Sequence, residues 1–516
     1  MIGILHFISN YRFPNNARGT PQYRWTALDQ SEKEVSEYLV ASSNKYNKNQ
    51  YVIIEHKTVS KPRPIGVIIK ILGEIGNIDV EIEARLYYRN IAFKRWKFNP
   101  QSSITSSKLH IDYQNLKVYS IDPVGCCDID DAFSYQLEEH RIGIHIADVS
   151  YLLQEYGLLN IENFTNRYSS VYLPNQVNHM IPDSLGTDQA SLLPNQSRFT
   201  WTLWLDLSET NEIKKWEFQR TIIKSSKAFS YDEAEDNPEI KEISKIVREM
   251  GKNMLQLKYD NWTTHEMIEV LMIIINHLVA KFIYDHFKNT DFKKSIYRTH
   301  SQPQKQIENV NDQDLNKILN ILNSQSAEYT YDTGNYYHYG LKIDKYTHFS
   351  SPIRRFVDVY IHVLLSNILY PNYGKINVTN IELDLEKLND FNHRVKLFQR
   401  DLDKIKLISL IKTDISHQGY VIDINNENVL DVYFPTLKIL FSFPLIHKNI
   451  IELFQIINNQ NHIEISYNYN SIKIEKQKLI TFNLYPQIEE NSLSKKIKVE
   501  IPLLADFLQG QHRKID

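Results

Sequence analysis

Between Ile121 and Ala132 the chain reads I-D-P-V-G-C-C-D-I-D-D-A, so that Asp122, Asp128, Asp130 and Asp131 fall within ten residues. Four carboxylates cannot enter an apolar core without partners, and they repel one another unless cations or arginines neutralise them. The text on either side is strand-like, Leu116–Ile121 before and Phe133–Leu137 after, and Pro123 and Gly125 force a turn between the two. The pattern predicts that all four side chains sit on one loop between strands and converge. Hard oxygen donors at close quarters suit Mg²⁺ or Mn²⁺, and such a centre activates water and stabilises charge on a phosphodiester. On this segment alone a solvated acidic turn or a calcium loop competes equally. An EF-hand loop is disfavoured, because no glutamate closes it at the required spacing.

A second segment, Tyr346–Asp358, reads Y-T-H-F-S-S-P-I-R-R-F-V-D. Ser351 suits a helix N-cap and Pro352 the first helical position. Ile353, Val357, Tyr360, Ile361, Leu364 and Ile368 then make one apolar face. This reading puts Arg354 and Arg355 in the first turn, against the helix dipole. Cations placed there beside free backbone N–H groups make a seat for a phosphate. The plainer alternative is an arginine paired with Asp358 one turn on.

The remaining text divides the 516 residues into regions. Residues 1–100 read as a small β-barrel of the OB or cold-shock type, with strands at Tyr51–Ile54, Ile65–Ile71 and Ile78–Tyr87, although the pattern alone suits a small sandwich nearly as well. Residues 101–115 are polar and read as a linker. Residues 116–411 form a large mixed region. Its further strands are expected at Ile142–Ala147 and Phe199–Leu207, and its helices at Glu239–Met254, His265–Phe287, Asp312–Leu322, Pro352–Leu369 and Leu385–Ile411. Residues 415–516 return to β-like text, a divergent OB-like domain. Net charge is −3, which excludes a protein that coats nucleic acid generally and leaves room for one positive channel. The two cysteines, Cys126 and Cys127, are adjacent and suit neither an unstrained disulfide nor a zinc site of their own. A reducing, cytoplasmic location is expected. The densest apolar run, Val270–Ile275, is too short to cross a bilayer.

Together the two segments resemble the signatures of the RNase II (RNB) family of 3′→5′ exoribonucleases. The family's aspartate run reads here as Asp122, Asp128, Asp130 and Asp131, and its Ser-Pro-Ile-Arg signature as Ser351-Pro352-Ile353-Arg354. Ile142–Ser150, Ser169–Pro174, Ala228–Tyr231, Tyr297–His300 and His338–Leu341 agree in order. The resemblance implies an α+β multidomain protein, with an RNB catalytic domain of mixed sheet and helices around a channel, flanked by OB-like β-barrels. It implies Asp122, Asp128, Asp130 and Asp131 as ligands of magnesium, with Asp130 and Arg354 catalytic. It implies RNA contacts from Tyr172, Tyr231, Arg354 and Arg355, and release of nucleoside 5′-monophosphates from single-stranded RNA. Phosphate grip and base stacking are both indifferent to sequence. Accessory RNA-processing proteins are not specified.

The chain departs from the family in places. Val270 stands where relatives often have a second glutamate, beside Glu269. The short stretch between Met254 and Thr264 leaves Tyr259 or Trp262 as candidates for an aromatic clamp. Thr263 and Glu266 form an expected capping box. The apolar helix around Ile268–Ile275 reads as core, and His145, His179 and His348 as structural. Lys61, Arg63, Lys94 and Arg95 fit an RNA path or a solvated face equally. A catalytically silent RNA-binding relative is the main alternative. Intact Asp122, Asp128, Asp130, Asp131 and Arg354 argue against it, since a scaffold has no need of so crowded an anionic loop.

Overall fold

The computed structural model describes residues 1–8, 13–28, 37–57, 64–92, 94–255, 261–303, 313–323, 325–373, 383–411, 416–425, 428–445, 455–459, 461–467, 470–487, 493, 496–502 and 504. The chain divides into two compact units. One comprises residues 1–92, 306–323 and 394–516, the other residues 93–305 and 324–393. Lys61, Arg63 and Tyr259 lie outside the described residues.

The first unit opens with a closed five-stranded barrel, in the order β1 (Ile2–His6), β2 (Gln22–Ala27), β3 (Glu37–Ala41), β5 (Ile65–Glu74), β4 (Gln50–Lys57). Leu5, Trp25, Val40, Val52 and Ile54 fill its interior. The expected strand Ile78–Tyr87 is instead helix α1 (Ile78–Tyr88). Gly76 takes φ +85°, and the Asn77 side chain accepts from Asp79 N and Val80 N, which nucleates a turn the apolar alternation conceals. The helix buries Glu81, which accepts from Tyr51 Oη and from Lys496 Nζ at 2.8 and 2.6 Å.

The second unit is built on a seven-stranded mixed sheet. Its strands are β6 (Ile111–Asp112), β7 (Val118–Ile121), β8 (Asp131–Gln136), β9 (Arg141–Ala147), β12 (Ser197–Leu207), β13 (Ile213–Lys224) and β14 (Lys227–Phe229). The order is β14-β7-β8-β9-β12-β13-β6, with β14 parallel to β7 and β6 parallel to β13. β9 is buried on both faces, Ile142, Ile144 and Ile146 on one and Gly143, His145 and Ala147 on the other, as a covered sheet requires. The polar stretch 101–115 is more than a tether. Its residues Ile111 and Asp112 add the edge strand β6, and His110 is buried against Asp148. Two residues of strand in polar surroundings leave no periodicity to read.

Between β9 and β12 lie α2 (Val149–Glu155) and the short pair β10 (Val171–Tyr172) and β11 (Val177–Asn178). After β14 come α3 (Tyr231–Asp236), α4 (Pro238–Leu255) and α5 (Thr264–Phe287). By length and composition α5 passes for a membrane span, which Val270–Ile275 alone did not suggest. Most of its side chains are buried in this unit, so it is a core helix, started by the Thr263–Glu266 capping box. β15 (Ile296–Thr299) pairs with β16 (Glu328–Tyr331), while the intervening α6 (Gln313–Asn323) belongs to the first unit. α7 (Phe356–Leu369) and α8 (Leu385–Leu410) follow, the residues of α8 from Arg394 on belonging to the first unit. The C-terminal strands of the first unit make a five-stranded and a three-stranded sheet, whose apolar faces share one core that includes Val421, Val432, Ile463 and Phe482.

Candidate active site

β7 ends at Ile121, and its ladder with β14 continues one step, Asp122 N donating to Phe229 O. Gly125 then takes φ +82°, a conformation that suits glycine, and turns the loop. Ile129 is pinned by Ser191, and Asp130 O accepts from Ala147 N at 2.9 Å, so the loop rejoins the sheet beside the end of β9. Three aspartates are on the loop. Asp131 is not, because it is the first residue of β8.

The arginine segment departs from expectation in one respect. Arg354 N and Arg355 N both donate to Ser351 O, closing a tight turn at Pro352, and Arg355 is then drawn into extended geometry by a bridge to Ser169. Helix α7 therefore begins at Phe356, one turn later than the Ser351 cap predicts, and neither arginine lies in its first turn. The Asp358 carboxylate takes the Arg355 guanidinium on two arms, at 2.8 and 2.9 Å. The plainer reading of the Arg355–Asp358 spacing is thus the observed one.

Asp130 joins the two segments. It is 4% exposed; its Oδ1 accepts from Ile353 N at 2.8 Å and its Oδ2 from Arg354 Nε at 3.1 Å. Arg354 Nη2 donates to Ser351 Oγ at 2.8 Å, and the side chain remains 44% exposed. Asp128 Oδ2 accepts from Tyr172 Oη at 2.6 Å, and the Cys126 thiol points at its Oδ1. Tyr231, placed by the Ser230–Glu233 capping box at the start of α3, stacks on His265 with ring centroids 3.5 Å apart. Apart from the capping box, His265 and Ile353, these groups line one cleft of about 510 Å³, with Glu269 and Asn276 of α5 on its wall.

The electrostatics fit an unfinished anionic site. Burial, reinforced by Asp128, pushes the Asp122 carboxyl up to about 6, against the opposing pull of Arg354. Burial likewise pushes Asp130 up to about 7 despite Arg354. Burial and then Asp122 and Asp130 hold Asp131 well above the usual carboxylate range. Asp122 Oδ2 is buried with no hydrogen-bond partner among the described residues. One arginine is too little positive charge for four carboxylates, and carboxylate oxygens gathered in this way are donors of the type that suits a divalent cation. The set is gathered but not closed: among the described residues no three His, Cys, Asp or Glu side chains surround a common point. Asp130 and Asp128 are instead turned toward Arg354 and Tyr172.

A model of the RNB domain matches residues 110–259 and 237–371. The chain belongs to the RNB family. It is 26% identical over 442 residues to "Exosome complex exonuclease dis3" of Schizosaccharomyces pombe, covering 67% of this chain and 45% of that protein. It is 25% identical over 460 residues to "Ribonuclease R" of Chlamydia pneumoniae, covering 72% of this chain and 66% of that one. The chain thus spans about half the length of its exosome-type relatives. The apo form of Mycoplasma genitalium RNase R has the same fold, with a TM-score of 0.70 at 16% identity over 97% of this chain and 100% of that one. So does yeast Ssd1, a pseudonuclease, at 0.67 and 16% over 90% and 67%. In this RNB domain the structure brings Asp122, Asp128, Asp130, Asp131, Tyr172, Tyr231, Arg354 and Arg355 to one cleft.

Other sequence candidates have structural employment. His145 is buried between Ser134 Oγ and Thr202 Oγ1, and His348 receives Tyr329 Oη. Arg95 bonds Gln176, and Trp262 Nε1 donates to Ser244. Sequence reasoning missed the His265 stack on Tyr231 and the Ser351 hydroxyl on Arg354. No spacing rule links residues 34 apart, and Ser351 reads as a cap.

Proposed function

We propose that this chain is a 3′→5′ exoribonuclease. It hydrolyses single-stranded RNA to nucleoside 5′-monophosphates with magnesium, or manganese as the alternative, held by Asp122, Asp128, Asp130 and Asp131. The observation that carries the reading is the junction at Asp130, where the acidic loop meets the arginine turn through Ile353 N and Arg354 Nε. The exonuclease and ribonuclease relatives support it at the level of the family. A bound divalent cation supplies Lewis acidity and a water of lowered pKa. Asp130 holds the Arg354 guanidinium at the cleft, where it meets charge developing on the scissile phosphate. Tyr172 and Tyr231 offer ring faces to the last bases, and burial, then the neighbouring aspartates, keep both phenols protonated. Both cysteines are free thiols, in keeping with a reducing cytoplasmic location.

The test is a 5′-labelled single-stranded oligoribonucleotide incubated with Mg²⁺ and then with EDTA, beside a 3′-blocked RNA and a matching DNA strand. A ladder that needs the metal, a free 3′ end and ribose is the expected result, and Asp130→Asn should abolish it while RNA binding persists. Tight binding without shortening would instead make the chain a silent RNA-binding relative. Near-normal turnover by Asp130→Asn would remove the role given to that residue.

A further inference from the structure

A polar side chain in the buried stretch of an apolar helix needs a partner to justify it. Asn276 of α5 is 2% exposed, and among the described residues its side-chain hydrogen bonds go to one segment. Its Oδ1 accepts from Phe349 N at 2.8 Å and Ser350 N at 3.2 Å. Its Nδ2 donates to Tyr346 Oη at 3.1 Å and Ser350 Oγ at 3.2 Å. The next residue of the helix, His277, bonds Lys345 O through Nδ1 at 2.7 Å. From the other side α7 holds the same segment: His362 Nε2 donates to Phe349 O at 2.9 Å, and Asp358 Oδ1 accepts from Ser351 N at 2.7 Å. Residues 345–351 are thus fastened between two helices by side chains. Ser351 is the last residue before the arginine turn, and its Oγ takes Arg354 Nη2.

We propose that Asn276 and Ser351 are positioning residues for Arg354. Asn276 sets the backbone that presents Ser351, and the Ser351 hydroxyl, with Asp130 at Nε, fixes the plane of the guanidinium. A guanidinium grips phosphate through a rigid fork, so its plane and not only its charge decides the contact. A misplacement of about 1 Å at a catalytic group costs on the order of 100-fold in rate. Removing the Asn276 carboxamide leaves the Phe349 and Ser350 N–H groups buried without a partner, and the segment shifts to satisfy them. The inference rests on the exoribonuclease reading and adds to it a supporting layer.

Single-turnover cleavage and equilibrium RNA binding are measured in Mg²⁺ for the full chain, Asn276→Ala, Ser351→Ala, Arg354→Ala and the two doubles with Arg354→Ala. Asn276→Ala and Ser351→Ala should each slow the single turnover about 10- to 100-fold while RNA affinity stays within about threefold. In the Arg354→Ala background either change should cost less than about threefold, because the group it orients is gone. An asparagine that only stabilises the fold would not be coupled to Arg354 in this way. Losses that multiply in the doubles, or a Ser351→Ala rate equal to wild type, overturn the proposal. If Asn276→Ala fails to fold, Ser351→Ala, which removes one hydroxyl, decides alone. A wild type that shortens no RNA refutes the exoribonuclease reading and this inference together. An active wild type with multiplying losses refutes only the positioning roles.

Discussion

Arg355 commits both arms of its guanidinium to Asp358, which is fully buried, whereas its neighbour Arg354 has a single arm on Asp130 and stands half-exposed in the cleft. Removing one member of a buried pair leaves the other charge uncompensated, a loss of about 3–5 kcal/mol. Arg355→Ala should therefore lower the urea midpoint sharply, the more so because Asp358 also anchors Ser351 N. Arg354→Ala leaves Asp130 its bond from Ile353 N, so its stability should change by less than about 1 kcal/mol. Its single-turnover rate should instead fall by about 10²- to 10³-fold, as for loss of a donor to a developing charge. Unaltered stability in Arg355→Ala, with a rate loss like that of Arg354→Ala, would reassign Arg355 to the substrate. At this scale the sequence was legible wherever the chemistry is local. Four aspartates within ten residues predict their own convergence, and Arg355 with Asp358 is a short-range pair. The Ser351 hydroxyl was misread because a serine before proline looks the same whether it caps a helix or receives an arginine.

Elements were legible where the period was clean and one face was buried. β9 and α5 fall within a residue or so of expectation, because isoleucine at every second position and a capping box leave little choice. Helix α1 shows the limit. Ile78, Val80, Ile82 and Ala84 alternate as a strand would, yet Glu81 and Arg85 are buried with Ile82 and Leu86. Tertiary partners for charged residues, Tyr51 and Lys496 for Glu81, overrode the alternation, and no local rule anticipates them. The cap carries part of the decision. Asn77 Oδ1 takes two of the orphan N–H groups of the first turn, so Asn77→Ala should cost about 1 kcal/mol and Asn77→Asp or Ser should restore most of it. Thermal midpoints of the three variants check this. An alanine variant as stable as wild type would mean that Gly76 and the burial of Glu81 set the helix by themselves.

At the scale of the whole molecule, the division into units was beyond the sequence, because a unit assembled from residues 1–92 and 394–516 depends on contacts several hundred positions apart. One property nevertheless runs through both units: histidines held neutral by burial. His6 in the first is lowered to about 4 by burial and then Arg24. In the second, His145 is lowered to about 3 by burial, and His338 to about 4 by burial, then His300 and Arg298. The unfolded chain protonates histidine near 6.5, so between that value and 4 the unfolded state binds more protons than the folded one. Stability from these groups is complete above about 6.5 and is lost as pH falls toward 4. The raised carboxyls of Asp122 and Asp130 act in the opposite sense, stabilising most at acid pH, so only a difference measurement isolates the histidines. His145→Gln keeps a donor and an acceptor for Ser134 and Thr202 without a titrating ring. Its thermal midpoint should fall less than that of wild type between pH 7.5 and 5, and equal slopes in the two proteins would show that His145 is already protonated or solvated in the folded chain.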